Sequence, residues 1–195
     1  MPLLPPALGP TRTIAVPPPT SGGGRSFLPA HMEHQTEGTS LWCWAHVASC
    51  ISHIYCEVSG VGSPFSPCEV ASRCCGPAYC PAPTDHSDKR NKEWGIEDAL
   101  LQIGHPGEPL FRALNFHDVT EQINLKQPIC CRIVWDRGCD VDGAHYVLIT
   151  GYDGQDVYVC DSRFGDHQFP FSDFRTRYQP TAAIHGTWNQ TYLTT

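Results

Sequence analysis

No stretch of this chain approaches the roughly 18 consecutive apolar residues that a membrane-spanning helix needs, so the pattern excludes a helical span. Positive charge is scarce and scattered: thirteen Lys and Arg stand against twenty Asp and Glu, a net charge of −7. The only basic run, Lys89-Arg90-Asn91-Lys92, is flanked by Asp85, Asp88 and Glu93. A nucleic-acid interface built on a basic stripe is therefore disfavoured, and a solvated loop accounts for the run. The first residues lack a basic region followed by a long apolar core, so a standard signal peptide is not expected. Internal repeats are absent, and so is the paired Cys-two-residues-Cys spacing that marks most structural zinc sites.

Cysteine, by contrast, is abundant: eleven in 195 residues, unusual for a reducing compartment. The odd count fits one free thiol plus up to five bridges. Cys68, Cys74, Cys75 and Cys80 fall among Gly76, Pro77, Pro81 and Pro83, where packing alone would hold the chain poorly. At least two of these four are expected to be bridged, with unpaired thiols the second reading and zinc the third. Bridges imply an oxidising destination, reached by a non-standard export route; a cytoplasmic protein with a thiol-rich loop is the alternative. In the run Ile129-Cys-Cys-Arg-Ile-Val-Trp135 the alternation is that of a strand, which should turn one of Cys130 and Cys131 to the core.

Proline and glycine crowd the first thirty residues: Pro2, Pro5, Pro6, Pro10, Pro17, Pro18 and Pro19, then Gly22, Gly23 and Gly24. That composition cannot pack a core, and residues 1–30 read as a disordered or extended tail. Residues 31–195 suit one domain of two lobes, helical over 31–126 and sheet-forming over 127–195.

Cys43 carries the chemistry. The turn-rich approach Gly38-Thr39-Ser40 leads into a segment whose Trp44, Val47, Ala48, Ile51, Ile54 and Tyr55 recur at helical spacing, with Thr39 or Ser40 as its cap. A cysteine at a helix start is where the backbone dipole favours thiolate. His145 opens the β-branched run Tyr146-Val147-Leu148-Ile149, and Gly151-Tyr-Asp-Gly154 reads as a hairpin turn. The next strand, 156–160, returns to Asp161, where a carboxylate can accept a hydrogen bond from the imidazole and orient it. Helices are expected near 96–103 and 118–125, the latter starting at an Asp118 cap, and strands near 129–135, 145–151, 156–160 and 182–193. Helices first and strands afterwards give an α+β class with the site between two lobes.

The Trp42-Cys-Trp-Ala45 helix start, the His145-Tyr-Val strand and the Asp161 turn resemble those of papain-like cysteine proteases. The likeness is greatest to the compact bacterial branch that includes plant-pathogen effector proteases and leader-peptidase-like domains. It covers about residues 31–195 and takes in Ser66-Pro-Cys-Glu-Val-Ala-Ser72 with Cys74, Cys75 and Cys80, Gln127-Pro-Ile129, and Trp188-Asn-Gln-Thr-Tyr192. The resemblance implies a papain-like two-lobe α+β fold, Cys43 as nucleophile, His145 as general base and Asp161 as its orienting partner. It implies no cofactor and no metal, a protein or peptide substrate, and a monomer. The family's oxyanion glutamine usually stands nearer to the cysteine, where Glu37 lies here. A carboxylate is a poor donor to a developing oxyanion, so the role falls to Gln35, 43 − 35 = 8 residues upstream, through a longer loop. His46, on the nucleophile's own helix, reads as a wall residue rather than a second base. The implied reaction is endopeptidase hydrolysis through a thioester. An acyltransferase or transglutaminase-like enzyme using the same three residues, and an inert cysteine-rich binding module, are the alternatives.

Overall fold

The segment Cys43–Ser59 forms one helix, α1, and its first half is buried on almost every side. Trp44, Val47, Ala48, Ile51 and Ile54 face the core as their spacing requires, and the helix stops at Gly60, whose left-handed backbone returns its N–H to Cys56 O at 2.8 Å. In this computed structural model the described residues are 24–85, 87–136 and 143–195. Four further helices follow: α2 (Pro67–Cys75), α3 (Ile96–Gln102), α4 (Phe116–Asn124) and α5 (Phe171–Thr176). The strands are β1 (Arg25–Phe27), β2 (Gly107–Leu110), β3 (Ile129–Trp135), β4 (Ala144–Asp153), β5 (Asp156–Cys160), β6 (His167–Pro170) and β7 (Gly186–Thr194). They make one antiparallel sheet ordered β2-β7-β3-β4-β5-β6, with β1 added to the far end of β4. Helix α1 packs against α2 and α3 on one side and β4 on the other, which confirms the α+β class. No helix among the described residues is long and apolar enough to cross a membrane.

Several expectations need correction. Residues 25–27, assigned by composition to the tail, pair with Gly151, Tyr152 and Asp153, so the folded unit reaches back past residue 31; residues 1–23 lie outside the described residues. The lobes do not divide at residue 127, because β1 from the expected tail and β2 from the expected helical lobe complete the sheet. Gly151 is not in a turn. It lies within β4, where a Cβ would stand 2.5 Å from Phe27 Cδ1, and the hairpin closes instead through Gly154-Gln155 between Asp153 and Asp156. Cys130 and Cys131 are both fully buried, since β3 is the inner strand between β7 and β4 and both of its faces are covered.

The caps also differ from those expected. Thr39 ends a short 3-10 turn and bonds back to Thr36 N at 2.9 Å. Trp42 takes the cap position of α1, and no side chain caps that helix. Helix α4 begins earlier than Asp118, capped by Asn115 Oδ1, which accepts from Asp118 N at 2.9 Å. The cysteine-rich stretch is itself partly helical. Ser66 and Glu69 form a reciprocal capping box around Pro67, starting α2.

Cys68 in the first turn of α2 is bridged to Cys80, as the sequence led us to expect for at least two of these four cysteines. It is the only bridge among the described residues, where eight other cysteines are free thiols, so five bridges do not form. The bridge anchors a segment that clamps the approach to Cys43. Arg90, paired with Asp88 at 2.6 Å, donates to Pro81 O at 2.7 Å. Arg90 O accepts from Trp42 Nε1 at 2.8 Å and Lys92 O from Trp44 Nε1 at 3.1 Å. Asn91 Oδ1 accepts from Leu41 N at 2.9 Å while its amide donates to Ser40 Oγ at 3.0 Å. The basic run is thus a structural brace that satisfies two buried indoles, not merely a solvated loop.

Two predictions follow from this brace. Removing the bridge, as Cys68→Ser or Cys80→Ser, should lower stability by about 2–4 kcal/mol, read as a lower urea midpoint with a slightly steeper slope, since the unfolded chain is no longer tied. Gly38 passes beneath Pro83, and a Cβ there would meet Pro83 O at 2.1 Å, a backbone atom with no rotamer to yield. Gly38→Ala should therefore cost about 1–3 kcal/mol of stability, and it should slow alkylation of Cys43 because the turn leading to α1 must shift.

Candidate functional site

Strand β4 delivers His145 at its second residue, and β5 ends at Cys160, so Asp161 leaves the sheet beside it. His145 Nε2 donates to Asp161 Oδ1 at 2.8 Å, with both side chains buried. The Cys43 thiol acts on the same ring to raise its pKa, and with Nε2 engaged by the carboxylate, Nδ1 is the nitrogen left to face sulfur. Cys43 is the first residue of α1 and is 8% exposed, against a carboxylate wholly shut off from solvent. The helix start, the strand start and the strand end named from sequence therefore meet at the junction of α1 with the sheet.

The electrostatics follow from burial and partners. Burial disfavours the charged imidazole, yet the Asp161 charge, its hydrogen bond and the Cys43 thiol outweigh it and push the His145 pKa up to about 10. Burial likewise opposes the Asp161 carboxylate, but His145, the Tyr178 hydroxyl and the Arg163 amide hold it below the usual carboxylate range. Asp161 Oδ1 also accepts from Arg163 N at 2.7 Å and Phe164 N at 3.1 Å, and Oδ2 accepts from Tyr178 at 2.6 Å. Trp135 stacks on the His145 ring with centroids 5.7 Å apart and planes 20° apart, while Phe164 meets it edge-on at 6.1 Å. The imidazole is boxed by aromatic faces and has little freedom to turn.

Gln35 lies in the same neighbourhood. Its backbone N–H donates to Ser162 O at 2.7 Å, one residue after Asp161. Both polar atoms of its side chain are buried without a hydrogen-bond partner among the described residues. An amide in that condition is costly unless something else uses it. His46, one turn beyond Cys43, hydrogen-bonds Glu33 O through Nδ1 at 2.9 Å. A carbonyl partner requires the proton on Nδ1, and burial lowers the ring's pKa to about 4, helped by His34 and opposed by the Glu33 bond. It is a neutral wall residue that fixes the chain just before Gln35 to α1.

Sequence reasoning missed Trp135, Phe164 and Tyr178. Trp135 carried a signal, ending a strand two residues after Ile133, the partner of His145. Tyr178 carried none, since it follows a short helix that the pattern did not reveal. The other buried cysteines contrast with Cys43 in setting. Burial pushes the thiols of Cys50, Cys130 and Cys131 up, and that of Cys160 up to about 12. Such thiols are poor nucleophiles near neutral pH.

At the level of sequence, neither a family model nor a curated relative matches the chain. Solved structures do resemble it. A C39-like peptidase from Bacillus anthracis is 12% identical, over 87% of this chain and 97% of that one, with a TM-score of 0.52. Xylellain, a cysteine protease from Xylella fastidiosa, is also 12% identical at a TM-score of 0.52, over 97% of this chain and 94% of that one. A double-glycine motif protease from an AMS/PCAT transporter, crystallised with the leader peptide, is 18% identical over 88% and 95%, with a TM-score of 0.45. Helices packed against an antiparallel sheet, with a fold shared with two of these peptidases along nearly the whole chain, give this protein a papain-like cysteine-protease fold.

Proposed function

We propose that the protein is a cysteine endopeptidase in which Cys43 is the nucleophile, His145 the general base and acid, and Asp161 the group that orients His145. The observation that carries the reading is a single buried imidazole bonded to a carboxylate through one nitrogen, with a helix-start thiol beside the ring that raises its pKa. Thiolate attack on a peptide carbonyl forms the new C–S bond and moves the carbonyl electron pair onto oxygen. The Cys43 backbone amide and the unpartnered Gln35 amide would donate to that oxyanion. Collapse expels the amine, protonated by His145, and leaves a thioester. Water, deprotonated by His145, then releases the acid and restores the thiol. The peptidases that share the fold support a peptide as substrate. We further propose that one peptidase domain runs from the sheet's first strand to the C-terminal strand β7.

Cys43→Ala should abolish cleavage of a labelled protein such as casein, with the circular-dichroism spectrum unchanged. Wild-type turnover in that variant would sink the assignment. His145→Ala should cost at least about a thousandfold in kcat, and Asp161→Asn less, because an amide oxygen also accepts from the ring. Gln35→Ala should lower kcat about 10²- to 10³-fold with KM nearly unchanged, as an interaction formed only in the transition state must.

The ion pair also predicts a pH dependence of stability. His145, raised in the folded state, contributes stability that is complete below its unfolded pKa of about 6.5 and is lost as pH rises toward about 10. Asp161, lowered in the folded state, contributes above its unfolded pKa of about 3.9 and loses that contribution as pH falls. Wild-type Tm should therefore decline on the alkaline side, and Asp161→Asn should show a smaller part of that decline. Parallel Tm curves for the two proteins would refute the pairing.

A further inference from the structure

The Asp161 carboxylate is held by four donors of unequal kind. Arg163 N and Phe164 N belong to the turn that Asp161 itself begins, so they move with it. His145 is the group to be positioned. Tyr178 is therefore the one donor that ties the carboxylate to a separate part of the fold, and among the described residues it is the sole partner of Oδ2. At 2.6 Å the O–H···O⁻ bond is in the short, charge-assisted range.

The phenol is itself fixed. Tyr178 is fully buried, and its backbone exchanges both hydrogen bonds with Gly186, at 2.8 and 2.9 Å. Gly186 opens β7 opposite Trp135 of β3. The Tyr178 ring stacks on Trp135 at 6.2 Å and meets Phe169 and Phe174 edge-on at 5.4 and 5.5 Å. Trp135 in turn stacks on His145. His145, Asp161, Tyr178 and Trp135 close a ring of contacts: two hydrogen bonds along one side and two stacked pairs along the other.

We propose that Tyr178 is a positioning residue for the Cys43–His145–Asp161 reaction, its hydroxyl locking the plane of the Asp161 carboxylate so that Oδ1 keeps the imidazole turned toward Cys43. The proposal rests on the peptidase reading above. Burial, and then the Asp161 charge, push the Tyr178 phenol far above its ordinary value, so it remains a donor throughout the working range. The groups that face Asp161 are His145 from β4, Tyr178 from the segment after α5, Cys160 from β5 and, through the imidazole, Cys43 from α1. Cys160 and Tyr178 stay protonated through neutral pH, so the low-pH edge of reactivity reports the carboxylate and the pair it supports.

The test is the rate of iodoacetamide alkylation at Cys43 as a function of pH, followed by mass spectrometry of the Cys43 peptide in the full chain. In Tyr178→Phe the ring packing stays and only the donor goes. A carboxylate with one donor fewer takes up a proton at higher pH, and once neutral it no longer supports the imidazolium. The acid edge should therefore move up by about one pH unit, with the rate on that edge about tenfold lower. In the Asp161→Asn background the same change should move the edge no further. Should Tyr178→Phe fail to fold, 3,5-difluorotyrosine at position 178 strengthens the donor in place, and the edge should move down. An acid edge unmoved by a folded Tyr178→Phe protein, or by the fluorinated residue, overturns the proposal and leaves the triad standing. A wild-type Cys43 that alkylates like an ordinary thiol, with no reactivity at acid pH, removes the triad and the proposal together.

Discussion

A carboxylate sealed from water at the end of a sheet is the constraint around which this structure is arranged. An isolated buried carboxylate would neutralise itself rather than remain charged. Asp161 stays ionised because four donors converge on it from β4, from its own turn and from the segment after α5. Each donor fixes a piece of chain: the β4 start, the Arg163–Phe164 turn, and Tyr178 with its bridge to β7. The polar cluster thereby specifies how the C-terminal segments close over the sheet, a role that apolar packing of Phe169, Phe174 and Trp188 alone would leave less exact.

The opposite wall is built by different means. Helix α1 enters the core end-on, so both tryptophans beside Cys43 are buried and their indole N–H groups need acceptors. They find them in the carbonyls of Arg90 and Lys92, some fifty residues on, in a segment held by Arg90 and by the Cys68–Cys80 bridge. Lys92 completes the brace by lying over the rings of Trp94 and Tyr79 at 4.7 and 5.2 Å. The position of Cys43 therefore depends on long-range main-chain contacts, whereas that of His145 depends on strand register. A site made this way has two walls that are tuned separately.

That division explains what was legible in the sequence. Strands β3 and β5 and the start of α3 were readable because each has a clear period and Gly or Pro punctuation. The pairing of His145 with Asp161 was readable because one hairpin spans it. The α2 capping box was written as Ser66-Pro-Cys-Glu69, but the cysteines and prolines around it drew the reading toward a loop. Strands β1, β2 and β6 are three or four residues long and lie at sheet edges, where too few residues are buried to leave an alternating pattern. The brace at 88–92 could not be read at all. The acceptors it offers the two buried indoles are backbone carbonyls, and side-chain identity says nothing about where a carbonyl points.

The cysteine count carried more apparent weight than it holds. Eleven thiols suggested a framework of bridges, yet among the described residues only Cys68 and Cys80 are joined, and they lie where Pro and Gly leave little core to hold the chain. Cys50, Cys130 and Cys131 are fully buried in the core and serve as small apolar side chains, for which burial and not bonding is the reason for their presence. What sets Cys43 apart is therefore not that it is free, since most of the described cysteines are free. It is that the helix start sets its thiol beside an imidazole whose other nitrogen is already committed to a charge. Among many chemically identical thiols, position relative to one buried carboxylate singles out the candidate nucleophile.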